Sequence, residues 1–414
     1  MKLVLLNLKY SPNLGDGIIA ECFEAALRQS HPGIDVVSCD IAGRSCYGDG
    51  LNRSRALVFS LLDYLPRSIR RQLVSLGLRP AVQFMLRGHY RSALKDADLA
   101  LIGGGQVVAD TYLNFPLKIA AAADEARAGG VPLGLYGVGV SSQFSSAGMK
   151  LFKSAFAPPL FCISLRDAVS CENWNTLFEP ASASLVNDPG FLASKVWPRP
   201  HVPSRSRRLV GVGITNPSTL NLHSDETGQA HAAWRSFFAE ICETLVDAGH
   251  DVQLFTNGPH DDRLFATSVF HAIPDPLKLG GRVLPAPDLR LPKELAGLLA
   301  SFDGVIGHRL HAHVVAASYG IPHVGLAWDA KLEAFFAATG RSDFMISDAS
   351  PEARPAAAML QKAMQEGIDE TGRQKLLEAT EAQIVSLGAV LEQAALQKAS
   401  RVDGRRANIV VEAG

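Results

Sequence analysis

The sequence predicts an α/β protein made of two Rossmann-like domains facing each other across a cleft. Three observations carry that reading. Short apolar runs ending in glycine or a polar turn alternate with amphipathic stretches, as buried parallel strands alternate with crossover helices. The alternation occurs in two blocks, separated by the Pro-, Ser- and Arg-rich stretch Trp197–Arg208, which is the linker candidate. A chain of 414 residues is also long for a single core. The expected division is 1–198, 207–345, and a pair of helices over 351–402 that pack on the two domains.

The totals narrow the function classes. With 47% hydrophobic and 20% charged residues and a net charge of −1, the composition is that of a globular protein, not of a nucleic-acid binder. Six scattered cysteines, with no Cys-x-x-Cys, read as reduced and mostly buried thiols. The apolar start MKLVLLNL is too short for a signal peptide and reads as a first strand. No apolar run reaches the length of a membrane span. A cytoplasmic protein, or one peripheral on the inner face of the cell membrane, is expected.

In the first block, Leu3–Leu8 is a strand that opens into the loop Tyr10–Asp16, and a helix follows from about Gly17 to Gln29. Val36–Cys39 is the second strand. Leu51–Lys95 is rich in arginine (Arg67, Arg70 and Arg71 among them) against the single acid Asp63, with apolar residues between. Such a block suits an anionic membrane surface, and equally suits cover helices with a solvated basic face. Ala97–Ile102 is a strand ending in Gly103-Gly104-Gly105, where a ligand or a neighbouring backbone can approach closely. Leu133–Val140 is another buried strand. Its Gly137-x-Gly139 lacks the third glycine and the acid of a dinucleotide fingerprint. Phe161–Leu165 leads to Arg166-Asp167, a helix covers Ala168–Thr176, and Asp188-Pro189 closes the block.

The second block restarts with the strand Leu209–Ile214 and the helix His231–Gly249. Val252–Phe255 is a strand and Arg263–Ala272 a helix. The acids of His260-Asp261-Asp262 fall at that helix start, where they favour the dipole, so no metal site is expected there. Pro292–Ser301 is helical. Gly304–Gly307 is then a short buried strand, followed at once by a helix with Leu310, Val314, Val315 and Ser318 inward and Gly320 as its left-handed stop. His323–Trp328 is the next strand. The turn between them carries His308, Arg309, His311 and His313, at the place where open α/β sheets bind ligands. Arg309 stands where its forked guanidinium and the free N–H groups of a helix start can hold one anion.

Arg309-Leu310-His311, Gly320-Ile321-Pro322 and Asp329-x-Lys331, in that order, resemble the C-terminal signature of the polysaccharide pyruvyl transferase family. Asn13-x-Gly15-Asp16, the glycine triplet, Arg166-Asp167 and Asp188-Pro189 resemble further elements of it. The resemblance implies a fold similar to that of the B-type glycosyltransferases. It implies transfer of the pyruvyl group of phosphoenolpyruvate to two hydroxyls of one sugar, giving a cyclic ketal, on a sugar, oligosaccharide or lipid-linked glycan acceptor. Phosphoenolpyruvate is then a co-substrate, and no cofactor or metal is implied. On this reading Arg309 and His311 are catalytic, Arg309, Arg166, Lys331 and Leu310 bind the donor, and Asn13, Gly15, Asp16 and Gly103–Gly105 meet the acceptor from the opposite wall. His308 and His313 are read as structural. Two alternatives stay open: a glycosyltransferase using a nucleotide sugar at the same turn, and a non-catalytic glycan-binding subunit.

Overall fold

The structure is a computed structural model that describes residues 1–48, 79–80, 82–110, 113–157, 159–178, 183–201, 204–220, 227–348 and 351–412. Most of the basic block Leu51–Lys95 (51–78) lies outside them. The chain divides into two compact units. Unit 1 comprises Met1–Tyr10, Ile19–Pro189 and Ala379–Gly414; unit 2 comprises Ser11–Ile18 and Gly190–Glu378.

Unit 1 holds β1 (Lys2–Asn7), most of α1 (Leu14–Ser30), β2 (Asp35–Asp40), α2 (Arg87–Leu94), β3 (Leu99–Gly103), α3 (Asn114–Ala128), β4 (Leu133–Val138), α4 (Ser146–Phe156), β5 (Ile163–Leu165), α5 (Ala168–Leu177) and β6 (Ser184–Leu185). Among the described residues its strands form one parallel sheet in the order β2-β1-β3-β4-β5-β6. The order reverses between β1 and β3, so the crevice at the C-terminal ends of these strands is the place a ligand would take. Leu3–Leu6 and Leu99–Ile102 are fully buried, which is why they read as unbroken apolar runs without alternation.

Unit 2 opens, after Pro189, with the short helix α6 (Ala193–Val196). Its first part holds β7 (Leu209–Gly213), α7 (Pro217–Leu220), α8 (Thr227–Asp247), β8 (Asp251–Phe255), α9 (His260–Ala272), α10 (Asp275–Leu279) and β9 (Val283–Leu284). The second part holds α11 (Pro292–Ala300), β10 (Gly304–Gly307), α12 (Leu310–Tyr319), β11 (His323–Leu326), α13 (Ala330–Ala338), β12 (Met345–Ile346), α14 (Ala353–Glu366) and the start of α15 (Glu370–Glu412). Its strands are also parallel, in the order β12-β11-β10-β7-β8-β9. This is the doubly wound order of a dinucleotide-type fold, with the reversal between β7 and β10. An α/β protein with two parallel Rossmann-like sheets is what the alternation implied.

Several details depart from the sequence reading. The first helix starts at Leu14, not Gly17, so Gly15 and Asp16 form its first turn. Asn13 brings this about: its carbonyl accepts the Asp16 N–H (3.0 Å) and its side-chain oxygen accepts the Gly15 N–H (3.3 Å). α3 and α4 have no counterpart in the expectations. The interior of α3 reads Ile-Ala-Ala-Ala-Ala, with no polar face to mark a period. The units divide at Pro189/Gly190 and not at the linker Trp197–Arg208, because that stretch is tied to unit 2. Arg199 and Arg205 donate to the carbonyls of Ala300 and Ser301, and Tyr319 Oη to that of Trp197. The C-terminal helices are shared out: Leu360 and Met364 of α14 join the unit 2 core, while α15 beyond Glu378 belongs to unit 1. There Thr380 accepts from Asn187, and Lys398 donates to Ala97 O (2.7 Å). Of the cysteines, Cys22, Cys39 and Cys242 are buried, Cys46 is exposed and all six are free; burial pushes the Cys39 thiol up to about 12. Among the described residues no helix is long and apolar enough to cross a membrane.

Candidate active site

The crest of the unit 2 sheet, at the reversal between β7 and β10, is built on two glycines. Gly213 ends β7 and Gly307 ends β10; a Cβ on Gly307 would meet the Gly213 carbonyl at 3.1 Å. Beyond Gly307 the chain turns through His308 and Arg309 into α12, with Arg309 as its N-cap in an extended conformation. α12 is buried from His311 to Tyr319 and stops at Gly320, whose φ of +70° is the left-handed cap expected from the sequence.

Arg309 is 17% exposed at its side chain and grips one carboxylate. Its Nε (3.1 Å) and Nη2 (2.6 Å) both donate to Oδ2 of Asp262, in the first turn of α9. Asp262 is fully buried, and its other oxygen accepts the backbone N–H of Asn216, just beyond β7, at 2.9 Å. The sequence reading missed this partner. The acids of His260-Asp261-Asp262 looked alike as dipole partners, and nothing in the sequence says which one turns inward.

His311 is 8% exposed and packs against the N-terminal segment of the chain. A Cβ on Gly15 would lie 2.7 Å from both Cβ and Nδ1 of His311, so only glycine leaves room for the imidazole. The segment is seated in unit 2 by Leu14 N–H, which donates to Asn257 O at 2.7 Å. Gly258, with φ +107°, also comes so close to Pro12 O that a Cβ would sit 2.5 Å from it. Asn13, Gly15 and Asp16 therefore belong to the unit that carries His311 and Arg309, and not to an opposite wall.

Past β11, Trp328 Nε1 donates to His308 O (2.9 Å) and ties the two strand ends together. Lys331 pairs with Asp329 at 3.1 Å and lies 5.8 Å above the Trp328 ring. The second Asp329 oxygen accepts Leu332 N–H and caps α13. Leu310 packs at the edge of the unit 2 core.

Three further histidines of unit 2 are enclosed. His308 lies edge-on to Trp234 with ring centroids 4.7 Å apart; burial, then the Arg309 charge, pushes its pKa down to about 3. His313 donates from Nε2 to Gly307 O (2.8 Å) and burial pushes it down to about 4. His323 is held well below the usual range by burial and neighbouring His313. All three are neutral near pH 7.

The other sequence-predicted residues lie in unit 1. Arg166, just past β5, is 4% exposed and donates from Nη2 to Gln106 (3.0 Å). It lies 3.3 Å from Asp167 and 3.7 Å from Asp188. Asp167 also caps α5 through Ser170 N–H. Gly104 and Gly105 have φ of +70° and +73°, and a Cβ on Gly104 would meet Ile19 at 2.7 Å. The triplet thus serves a left-handed turn and a close helix approach where the unit 1 order reverses. Among the described residues no group of acids, histidines and cysteines is arranged to hold a metal.

Two parallel Rossmann-like sheets, each with a polar crest at its strand-order reversal, place the molecule in the GT-B-like class of folds. Solved structures agree on the fold. S. aureus MnaA in its UDP co-structure is similar with TM-score 0.52 and 12% identity over 92% of each chain. The UDP-GlcNAc 2-epimerase of Methanocaldococcus jannaschii is similar with TM-score 0.52 and 11% identity over 94% of this chain and 100% of its own. None of the proteins of curated function matches the chain. The family model of polysaccharide pyruvyl transferase matches residues 13–330. The chain belongs to that family and is a transferase.

Proposed function

We propose that the protein transfers the pyruvyl group of phosphoenolpyruvate to two hydroxyls of a sugar in a surface polysaccharide or its lipid-linked precursor. The observation that supports this most is that Arg309 caps α12 and His311 lies in its first turn, in a chain of this family. The donor carries a phosphate and a carboxylate; Arg309, Lys331 and the positive end of the α12 dipole are suited to such anions. Leu310 would line the donor. Asn13 and Asp16, in the same unit as Arg309 and His311, are the proposed acceptor contacts.

The chemistry balances without a redox partner. A proton is added to C3 of the enol as C2 becomes electrophilic, and the first sugar hydroxyl attacks C2 and gives up its proton. The bond from C2 to the phosphate oxygen then breaks, and the second hydroxyl closes the ring while its proton leaves with phosphate. On this reading His311 gives and takes the protons, a role its imidazole suits near neutral pH. The test is to mix the purified protein with phosphoenolpyruvate and a panel of glycosides, and to follow phosphate release and a pyruvyl mass gain on the glycoside. Turnover of a nucleotide sugar, with no phosphate released from phosphoenolpyruvate, would replace this reading with a glycosyltransferase.

A further inference from the structure

We infer that Asp262 is the positioning residue for Arg309, and that it dictates which edge of the guanidinium meets an anion. The inference deepens the donor reading above and rests on it for the identity of the anion.

The geometry is unusual for an arginine–carboxylate pair. A free pair commonly forms two parallel bonds, one to each oxygen. Here Oδ1 of Asp262 is already taken by the Asn216 N–H at 2.9 Å, so Nε and Nη2 of Arg309 converge on Oδ2 alone. The fully buried carboxylate thereby joins three elements at the reversal point: the turn after β7, the first turn of α9 and the turn after β10. Arg309 has several rotatable bonds, and this clamp removes most of that freedom before any ligand arrives.

The clamp also decides what remains. Nε is spent, together with the Nη2 hydrogen on the same edge. Among the described residues Nη1 carries no hydrogen bond. The open donors are therefore the pair at the Nη1–Nη2 end, a parallel fork matched to two oxygens of one phosphate or carboxylate group. Asp262 offsets the charge of Arg309, so selection of the anion would come from the direction of the fork more than from net charge. Asp262 itself is too enclosed to touch substrate; it acts through Arg309.

The test is a double-mutant cycle on the full chain, using Asp262→Asn and Arg309→Lys singly and together. It reads calorimetric affinity for phosphoenolpyruvate, donor KM, kcat and thermal midpoint. Asp262→Asn should raise donor Kd and KM by on the order of tenfold, a loss of about 1.4 kcal/mol, and change kcat less. On the Arg309→Lys background the same change should add no more than about a further twofold, because the group it positions is gone. Asp262→Glu keeps the charge and should recover part of the affinity; it also serves if Asp262→Asn does not fold. Unchanged donor affinity in Asp262→Asn, or full additivity with Arg309→Lys, would overturn the inference. If the parent binds no phosphoenolpyruvate, the functional proposal fails by itself. The cycle is then read with inorganic phosphate as the anion, where the same non-additivity supports the clamp and additivity overturns it.

Discussion

Arg309 and Arg166 stand in equivalent places, each just past the C-terminal end of a parallel strand, β10 in unit 2 and β5 in unit 1. Their surroundings differ. Arg166 is 4% exposed, with Gln106, Asp167 and Asp188 around its guanidinium; Arg309 is 17% exposed and meets one carboxylate along one edge. Glycine makes room in both units. A Cβ on Gly139 would come within 3.0 Å of Arg166 Nε, and one on Gly15 within 2.7 Å of His311. The fold supplies two similar crests, and their surroundings separate them: three polar neighbours enclose Arg166, while a single carboxylate holds one edge of the more exposed Arg309.

The largest effect should come from the residue without counterpart in unit 1. His311→Gln keeps much of the bulk but loses proton transfer, so kcat should fall by roughly 10²–10⁴-fold with little change in thermal midpoint. Activity within a few-fold of the parent across the pH range would remove His311 from the chemistry.

The two arginines give the next contrast. Arg309→Lys keeps the charge but loses the planar fork, and should weaken donor kcat/KM by roughly 10–100-fold, the value of a charged hydrogen-bonded contact. Arg166→Lys breaks contacts within unit 1 and should lower the thermal midpoint while costing less in donor KM. A larger donor KM effect at Arg166 would reverse the comparison and make unit 1 the main anion holder.

How much of this was legible follows from what each residue touches. The strands were readable because a parallel strand buried on both faces must be apolar throughout, as Leu99–Ile102 is, and because glycines end β7 and β10. The turn with Arg309 and His311 was readable because cations at a strand-to-helix junction are unusual in a short apolar context. Asp262 was not: a solvated acid at a helix start and a buried one look the same in sequence. Nor was the seating of Asn13–Asp16 on unit 2. It depends on Leu14 reaching Asn257 and on the open face of Gly258, contacts that span most of the chain.

That seating gives a smaller, sharper test. Gly15→Ala places a methyl where His311 now lies, and the overpacking should cost about 1–3 kcal/mol of stability and displace the imidazole. Gly43→Ala in unit 1 is the matched control, since its φ of +76° and its closeness to Leu86 also penalise a side chain. Both variants should lose stability, measured by urea unfolding. Only Gly15→Ala should lose more kcat than its folded fraction explains. Equal activity per folded molecule in the two variants would mean that His311 tolerates displacement.

The smallest expected effect separates the units by acid. The fully buried histidines among the described residues, His308, His313 and His323, all lie in unit 2. Folding lowers their pKa, so below about pH 6.5 the unfolded chain binds protons that the folded one refuses. Stability of unit 2 therefore falls as pH drops through that value, and keeps falling until the folded values of about 4 for His313 and about 3 for His308 are reached. In unit 1 the sign is set by a carboxylate. Burial opposes ionisation of Glu125, but hydrogen bonds from Arg91 and Arg87 outweigh it and hold the pKa below the usual range. That contribution is present above the ordinary carboxylate value and is lost only as pH falls below it. Between about pH 6 and 5, above the carboxylate range and below that of histidine, unit 2 should loosen while unit 1 holds. Hydrogen exchange, corrected for its intrinsic pH dependence, should show protection falling first in peptides covering β10 to β11, ahead of those covering β3 to β4. Simultaneous loss in both would mean that the two units unfold as one cooperative body, and the distinction drawn from their histidines would have no consequence for stability.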